Sequence, residues 1–210
     1  FEMKEVDRRV YAESIREFLP DRMIDAHTHV WLDAHSSHNP RAHERTVSWP
    51  SRVARDNPVE HLVESYRLMF PGKSVVPLMF SLVDEGDDID LMNGYVSSCG
   101  QQYRFPALIF AHPTWSGAEL ENRICAGGFI GAKVYLNLSP SYIPRKEIRI
   151  FDFLPPHQLE VLHENHRVVM LHIPRDGRLR DPVNLAQMLE IEKSYPGVRL
   201  IIAHVGRAYC

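Results

Sequence analysis

Residues 23–29 have the sequence MIDAHTH, in which a short strand candidate, Met23–Ala26, leads directly into His27 and His29. Strand side chains alternate in direction, so these two histidines point the same way, one step apart. Two imidazoles in this arrangement can bind a single divalent cation. A single histidine at a strand end is more often a hydrogen-bonded core residue, so the pair by itself leaves both roles open.

Further apolar runs share the character of this first strand. They are short, largely continuous and rich in Val, Ile and Phe, which is typical of strands buried on both faces. They are Ser74–Phe80, Phe105–Ala111, Phe129–Leu136, Val168–Leu171 and Leu200–Ala203.

Stretches with helical spacing of apolar residues lie between these runs and predict helices. They are Val59–Phe70, Asp90–Cys99, Ala118–Cys125, Pro156–Asn165 and Asn184–Tyr195. The alternation of strand and helix predicts right-handed βαβ units and a parallel sheet. Two long segments, Trp31–Pro58 and Asn137–Pro155, interrupt the alternation, and we expect them to shape a pocket.

Two more histidines lie at strand ends. His172 follows the fifth run and His204 follows the sixth. In a parallel barrel the carboxyl ends of all strands lie on one face, so these residues would converge with His27 and His29. A third imidazole from His172 would complete a three-nitrogen face with room for a carboxylate and water. The pattern therefore predicts a metal site.

Together with residues 23–29, the segments Val169–His172 and Leu200–Arg207 resemble the amidohydrolase superfamily. The resemblance is closest to its amidohydrolase-related (amidohydrolase 2) branch. It implies an α/β fold, a (β/α)₈ TIM-type barrel, with a divalent metal, usually zinc, at the C-terminal face. It also implies that His27, His29 and His172 are metal ligands and that His204 assists the chemistry.

The number of metal ions depends on Lys133, in the fourth strand. Some dinuclear relatives carry a carbamylated lysine there that bridges two metals. We expect one ion, because a single metal is commoner in this branch, and two if Lys133 is carbamylated.

The same resemblance implies eight strands, whereas the sequence provides candidates for six. We therefore expect residues 1–210 to form a single metal-dependent hydrolase barrel domain that is truncated after the sixth strand. The family also requires an aspartate at the end of strand eight, as ligand and proton carrier, and no residue here can be assigned that role. The chain as given is accordingly expected to be incomplete and inactive.

Four residues are candidates for substrate binding. Alternation along the fourth strand places Lys133 and Tyr135 on one side, where Lys133 would contact a substrate anion or pair with a buried acid. His112 ends the third strand and would contact substrate or make a structural hydrogen bond. Arg207 follows the sixth strand and would hold a carboxylate in bidentate fashion or remain solvated.

The expected function is hydrolysis of a small-molecule amide, ester or lactone by a metal-bound water. One alternative keeps the barrel and the metal but makes the chain a decarboxylase or hydratase of a small carboxylated acid. Another alternative is a non-catalytic, metal-binding barrel fragment. The strand motifs do not separate these possibilities, because all of them use the same ligands.

Composition excludes several other classes of protein. The formal net charge of −3 gives no basic surface for nucleic acid. No run of about 18 apolar residues is present, so we expect no membrane span. Three widely spaced cysteines fit a reducing cytoplasm rather than a disulfide framework. We expect a small-molecule substrate and a possible homodimer, and we interpret His35, His38 and His43 as polar loop residues.

Overall fold

The computed structural model describes residues 2–38 and 53–207. Within these ranges the strands are β1 (Arg22–His29), β2 (Ser74–Phe80), β3 (Leu108–Phe110), β4 (Gly131–Val134), β5 (Val168–Leu171) and β6 (Arg199–Ile202). The helices are α1 (Glu5–Val10), α2 (Val59–Met69), α3 (Ile89–Tyr103), α4 (Gly117–Gly127), α5 (Pro156–Glu164) and α6 (Pro182–Ser194). Every strand and helix predicted from the sequence is present, and α1 is an addition to them.

The pairing of the strands confirms the parallel α/β fold. β1 pairs with β2, and β3, β4, β5 and β6 pair in that order, with every pairing parallel. A parallel bridge between Met79 and Ala107 connects the two groups. The strands therefore lie side by side in chain order, as the first six strands of a (β/α) barrel do.

Local sequence signals explain where several helices begin. The side chain of Asp88 accepts hydrogen bonds from the backbone N–H groups of Asp90 and Leu91 at the start of α3. Ser116 caps α4 in the same manner, and Asp181 caps α6. These caps satisfy backbone donors that have no partner within the helix.

Alternation of side chains divides the strands into an outer and an inner face. Ala132 and Val134 of β4, like Val169 of β5, belong to the large core cluster that packs against the helices. Met170 belongs instead to an inner cluster with Phe80 and neighbouring residues. Lys133 lies between two outward residues of β4 and therefore points to the inner face, where it is buried.

Two differences from the predicted elements have simple causes. β1 continues through His29, because the ladder with β2 extends past the apolar run. β3 is shorter than predicted and begins only at Leu108, although Ala107 already bridges β2. No helix in the described part of the chain is both long and apolar enough to cross a bilayer.

The contact between β4 and β5 is so close that it admits only glycine at position 131. A Cβ at Gly131 would overlap the backbone carbonyl oxygen of Val168. We predict that Gly131→Ala lowers the free energy of unfolding by about 3 kcal/mol or prevents folding, because backbone atoms cannot move aside as a flexible side chain can. Urea denaturation followed by circular dichroism measures the change.

Gly94→Ala is the matched control for this prediction. Gly94 lies in α3, and an added Cβ would meet nothing within 4 Å. Alanine should therefore be neutral or stabilising by up to about 1 kcal/mol in a helix. Equal unfolding free energies for the two variants would contradict the predicted closeness of β4 and β5.

Candidate metal centre

Three histidines converge in a cavity at the carboxyl ends of the strands. His27 lies near the end of β1, His172 directly follows β5, and His204 follows β6. Each of the three offers a ring nitrogen, and these nitrogens all lie within 4.8 Å of one another. We call these residues the histidine cluster. The surrounding cavity has a volume of about 1150 Å³, and its lining includes Trp31, Phe110, Lys133, Tyr135, Met170 and Arg178.

The rings of the cluster pack closely against one another. The ring centroids of His27 and His204 are 4.6 Å apart, and His172 lies 5.0 Å from each of them. The Nε2 atoms of His172 and His204 are 3.1 Å apart, within hydrogen-bonding distance. His172 is buried, whereas His204 is exposed at the rim. The cluster therefore combines a buried nitrogen donor with one that solvent and substrate can reach.

The backbone turns sharply where it delivers His204. His204 has φ 53° and ψ 34°, and the next two residues, Val205 and Gly206, also have left-handed dihedrals. Residues other than glycine adopt this left-handed region at a cost in conformational energy. That cost is larger for a β-branched residue such as Val205. The turn directs the ring of His204 back toward His172 and His27.

His29 lies beside the cluster and is not one of its three members. Its Nδ1 donates to the backbone carbonyl oxygen of Ser81 at 3.0 Å, so Nε2 is its unprotonated nitrogen. Asn57 donates to the carbonyl oxygen of His29 at 2.7 Å. The ring centroids of His29 and His27 are 5.4 Å apart. The ligand set His27, His29 and His172 thus stays a prediction, and the structure adds His204 as the nearest third nitrogen donor.

Burial and a nearby cation keep these imidazoles neutral. Burial, and next the positive charge of Lys133, lower the pKa of His27 from 6.5 to about 3. The same two causes lower the pKa of His29 and of His172 well below the ordinary value. Neutral imidazole is the form that binds a cation, since protonation occupies the lone pair.

Lys133 lies beside the ring of His172 in the cavity. Its Nζ contacts Nδ1 of His172 and lies 5.1 Å from the ring centroid of Phe80 and 5.3 Å from that of Tyr135. The contact leaves Nε2 of His172 as the ring nitrogen that faces His204. The substrate-anion contact and the carbamylated bridge considered for Lys133 both stay predictions.

The donor chemistry of the cluster fits a transition-metal cation. Nδ1 of His27 is buried and has no hydrogen-bond partner among the described residues. Leaving such an atom unsatisfied costs about 1–3 kcal/mol, a cost that coordination would remove. Imidazole nitrogens suit zinc and its first-row neighbours, and three of them leave a further position open.

The remaining predicted residues divide between the cavity and its surroundings. Tyr135 lines the cavity, with its ring centroid 4.6 Å from that of His172. His112 is not among the lining residues; its Nδ1 accepts a hydrogen bond from the backbone N–H of Thr114. The side chain of Arg207 and all of His43 lie outside the described residues.

Sequence reasoning missed three polar residues of the site. Asn57 and Asp84 line the cavity, and Asp25 accepts a hydrogen bond from the backbone of His27. Asn57 lies in a segment that the sequence marked only as a pocket-forming loop. The position of Asp25, two residues before His27 in the same strand, was the one available signal, because residues i and i+2 share a face.

Comparisons with solved structures identify the fold. A protein of Acinetobacter baumannii described as a 2-pyrone-4,6-dicarboxylic acid hydrolase aligns with 88% of this chain at 19% identity and a TM-score of 0.55. A Rhizobium 2,6-dihydroxybenzoate decarboxylase aligns with 88% of the chain at 12% identity and a TM-score of 0.51. The chain spans 58% of the hydrolase and 67% of the decarboxylase. No protein-family model and no curated protein matches the sequence.

These similarities support the expected fold class and leave the reaction open. At such identities, a shared structure shows a shared fold, and one fold carries many reactions. The chain accordingly has the α/β architecture of these enzymes over 58–67% of their length, in agreement with the expected partial barrel.

The depressed pKa of His27 predicts acid sensitivity of the metal-free protein. Below pH 6.5 the unfolded chain binds a proton at this histidine, whereas the folded chain does so only near pH 3. The free energy of unfolding should therefore fall as the pH decreases from about 6.5 toward 3. Chemical denaturation at pH 7 and pH 5, with a chelator present, measures the fall.

His27→Gln should reduce this dependence on pH, because glutamine does not titrate. His61→Gln, which changes an exposed histidine on α2, should leave it unchanged. Aspartates such as Asp176, with a pKa lowered below 3.8 mainly by a hydrogen bond from Arg145, do not contribute between pH 7 and 5. If the free energy of unfolding fell as steeply between pH 7 and pH 5 in His27→Gln as in the parent protein, His27 would not be the source of the acid sensitivity.

Proposed function

We propose that this chain is the metal-binding part of a metal-dependent hydrolase of the amidohydrolase superfamily, acting on a small-molecule amide, ester or lactone. The histidine cluster is the observation that carries the proposal: His27, His172 and His204, at the ends of three separate strands, present ring nitrogens to one cavity. The fold shared with a protein described as a hydrolase supports it.

The cluster residues would hold the cation through their ring nitrogens. Nδ1 of His27 lacks a partner, and His29 holds its unprotonated Nε2 nearby as an additional donor. A bound divalent cation polarises a carbonyl group and lowers the pKa of water toward neutrality. Ser81 fixes the tautomer of His29 through its carbonyl group, the arrangement that commonly orients a metal-binding imidazole.

His204, together with residues around the cluster, would also bind and orient the substrate. His204 lies exposed at the rim and would contact the scissile group, while Lys133 and Arg178 supply positive charge to the cavity. Tyr135 provides an aromatic surface beside His172. We retain His112 and Arg207 as proposed substrate contacts from the sequence.

The positive charge in the cavity favours one alternative reaction class. Lys133 and Arg178 suit a carboxylated substrate, which is the kind of molecule that a decarboxylase or hydratase on this fold would take. The similarity to a 2,6-dihydroxybenzoate decarboxylase supports this alternative. Release of CO₂ from a panel of carboxylated aromatic acids, without hydrolysis of uncharged esters, would favour it.

The first prediction from this proposal concerns metal content. Protein purified without chelator or added metal should contain about one divalent ion per chain by elemental mass spectrometry. His27→Ala should lose most of that ion, because it removes the nitrogen that has no other partner. His61→Ala should retain it, since His61 is exposed on α2, away from the cavity.

The outcomes of this experiment are distinct. About two ions per chain would support a carbamylated Lys133 bridge. Absence of metal from the parent chain, also after incubation with Zn²⁺, would contradict the proposed function. Metal without turnover of esters, lactones, amides or carboxylated acids would support the non-catalytic, metal-binding alternative.

A second prediction concerns the charge of the substrate. In the intact protein, Lys133→Met should lower kcat/KM for a carboxylated substrate roughly tenfold to hundredfold, which is the cost of losing one charged hydrogen bond. An uncharged analogue of the same size should be affected less. Lys73→Met is the control, because Lys73 pairs with Asp21 at the opposite end of the strands.

A further inference from the structure

The strand that carries His27 contains a bulge at this residue. Asp25 pairs with Pro77 and Thr28 with Met79, so Ala26 and His27 together face one residue of β2. A bulge leaves part of the strand without its ladder hydrogen bonds. The position of the His27 ring therefore depends on whatever holds the bulge in place.

The side chain of Asp25 replaces the missing partner. Its Oδ1 accepts a hydrogen bond from the backbone N–H of His27 at 3.2 Å. Its other oxygen, Oδ2, accepts from the hydroxyl group of Tyr66 at 2.7 Å. The carboxylate is thus held at both oxygens, which fixes a torsion that is otherwise soft.

Tyr66 brings this contact from a neighbouring helix. It lies on α2, is half-buried, and packs against the main core cluster. The Tyr66 hydroxyl also lies 3.2 Å from Oγ1 of Thr28. The hydroxyl of Thr28 in turn donates to the backbone carbonyl oxygen of Asp25 at 3.3 Å. Both ends of the bulge are therefore tied to one phenol group anchored in the core.

We propose that Tyr66 is a positioning residue for His27, acting through Asp25: its hydroxyl holds the carboxylate that holds the bulge. The functional consequence rests on the proposed metal site, whereas the chain of hydrogen bonds belongs to the protein itself. A purely structural tyrosine would act through its ring, which phenylalanine retains. The hydroxyl group is therefore what the experiment must remove.

The test compares Tyr66→Phe with Tyr95→Phe. Tyr95 is a matched control: it is also half-buried against the main core, and its hydroxyl accepts a hydrogen bond from the backbone N–H of Val59 at 3.2 Å. It does not line the cavity. Both variants lose the hydrogen bonds of one buried phenol hydroxyl, but only those of Tyr66 lead to His27.

The first readout needs no metal. Amide hydrogen exchange of His27, followed by NMR in the metal-free chain, should become about fivefold faster in Tyr66→Phe, as loss of a bond worth about 1 kcal/mol implies. After correction for global stability, the exchange rate of the His27 amide in Tyr95→Phe should equal that in the parent protein. Equal exchange rates of His27 in all three proteins would overturn the proposal.

The second readout is metal affinity. Titration with Co²⁺ should give a Kd about tenfold weaker for Tyr66→Phe than for Tyr95→Phe, with a changed visible spectrum, because supporting contacts orient the ligand. In a double-mutant cycle with Asp25→Asn, the second substitution should add little, since both act on one path. Fully additive losses of Co²⁺ affinity would mean that Tyr66 does not act through Asp25, and would overturn the proposal.

The two proposals fail separately. If the parent chain binds no Co²⁺ or Zn²⁺, the proposed function fails, while His27 exchange still decides the role of Tyr66. If Tyr66→Phe does not fold, Asp25→Asn takes its place in the exchange experiment. Faster exchange of His27 there supports the contact chain, and unchanged exchange overturns it.

Discussion

The cationic side chain of Lys133 shares one buried space with several imidazoles, and this crowding constrains the whole site. A second positive charge close to a buried ammonium is costly, so the histidines around it remain neutral. Each neutral ring keeps one lone pair, which a cation or a hydrogen bond can occupy. The inward direction of Lys133, which follows from alternation along β4, thus determines the electrostatics of the cluster.

Much of this arrangement could be predicted from the sequence, because it depends on the period of the strands. Apolar runs located β1 to β6, and alternation placed Lys133 and Tyr135 on the inner face. The convergence of His27, His172 and His204 followed from parallel strands whose carboxyl ends share one edge. These features depend only on spacing along the chain.

The features that the sequence did not predict depend on contacts between distant segments. The bulge at His27 exists because β1 has one residue more than β2 between two pairings. His204, and not His29, is the third member of the cluster for two reasons. A left-handed turn after β6 brings His204 to the other two rings, and the carbonyl group of Ser81 binds Nδ1 of His29. His112 lies two residues beyond β3, and its ring contacts the side chain of Thr114 and does not line the cavity. No periodic pattern encodes such contacts.

His27 lies near the end of β1 and His204 follows β6, the first and last strands of the described residues, and their rings nevertheless meet. Almost the entire chain separates them, and no ladder pairs β1 with β6. An ion held by both would act as a covalent cross-link does, closing a loop nearly as long as the protein. Closure of a long loop removes conformational entropy from the unfolded state, so occupancy would stabilise the whole sheet and not only the site. Loss of the ion would then destabilise the fold as well as empty the site.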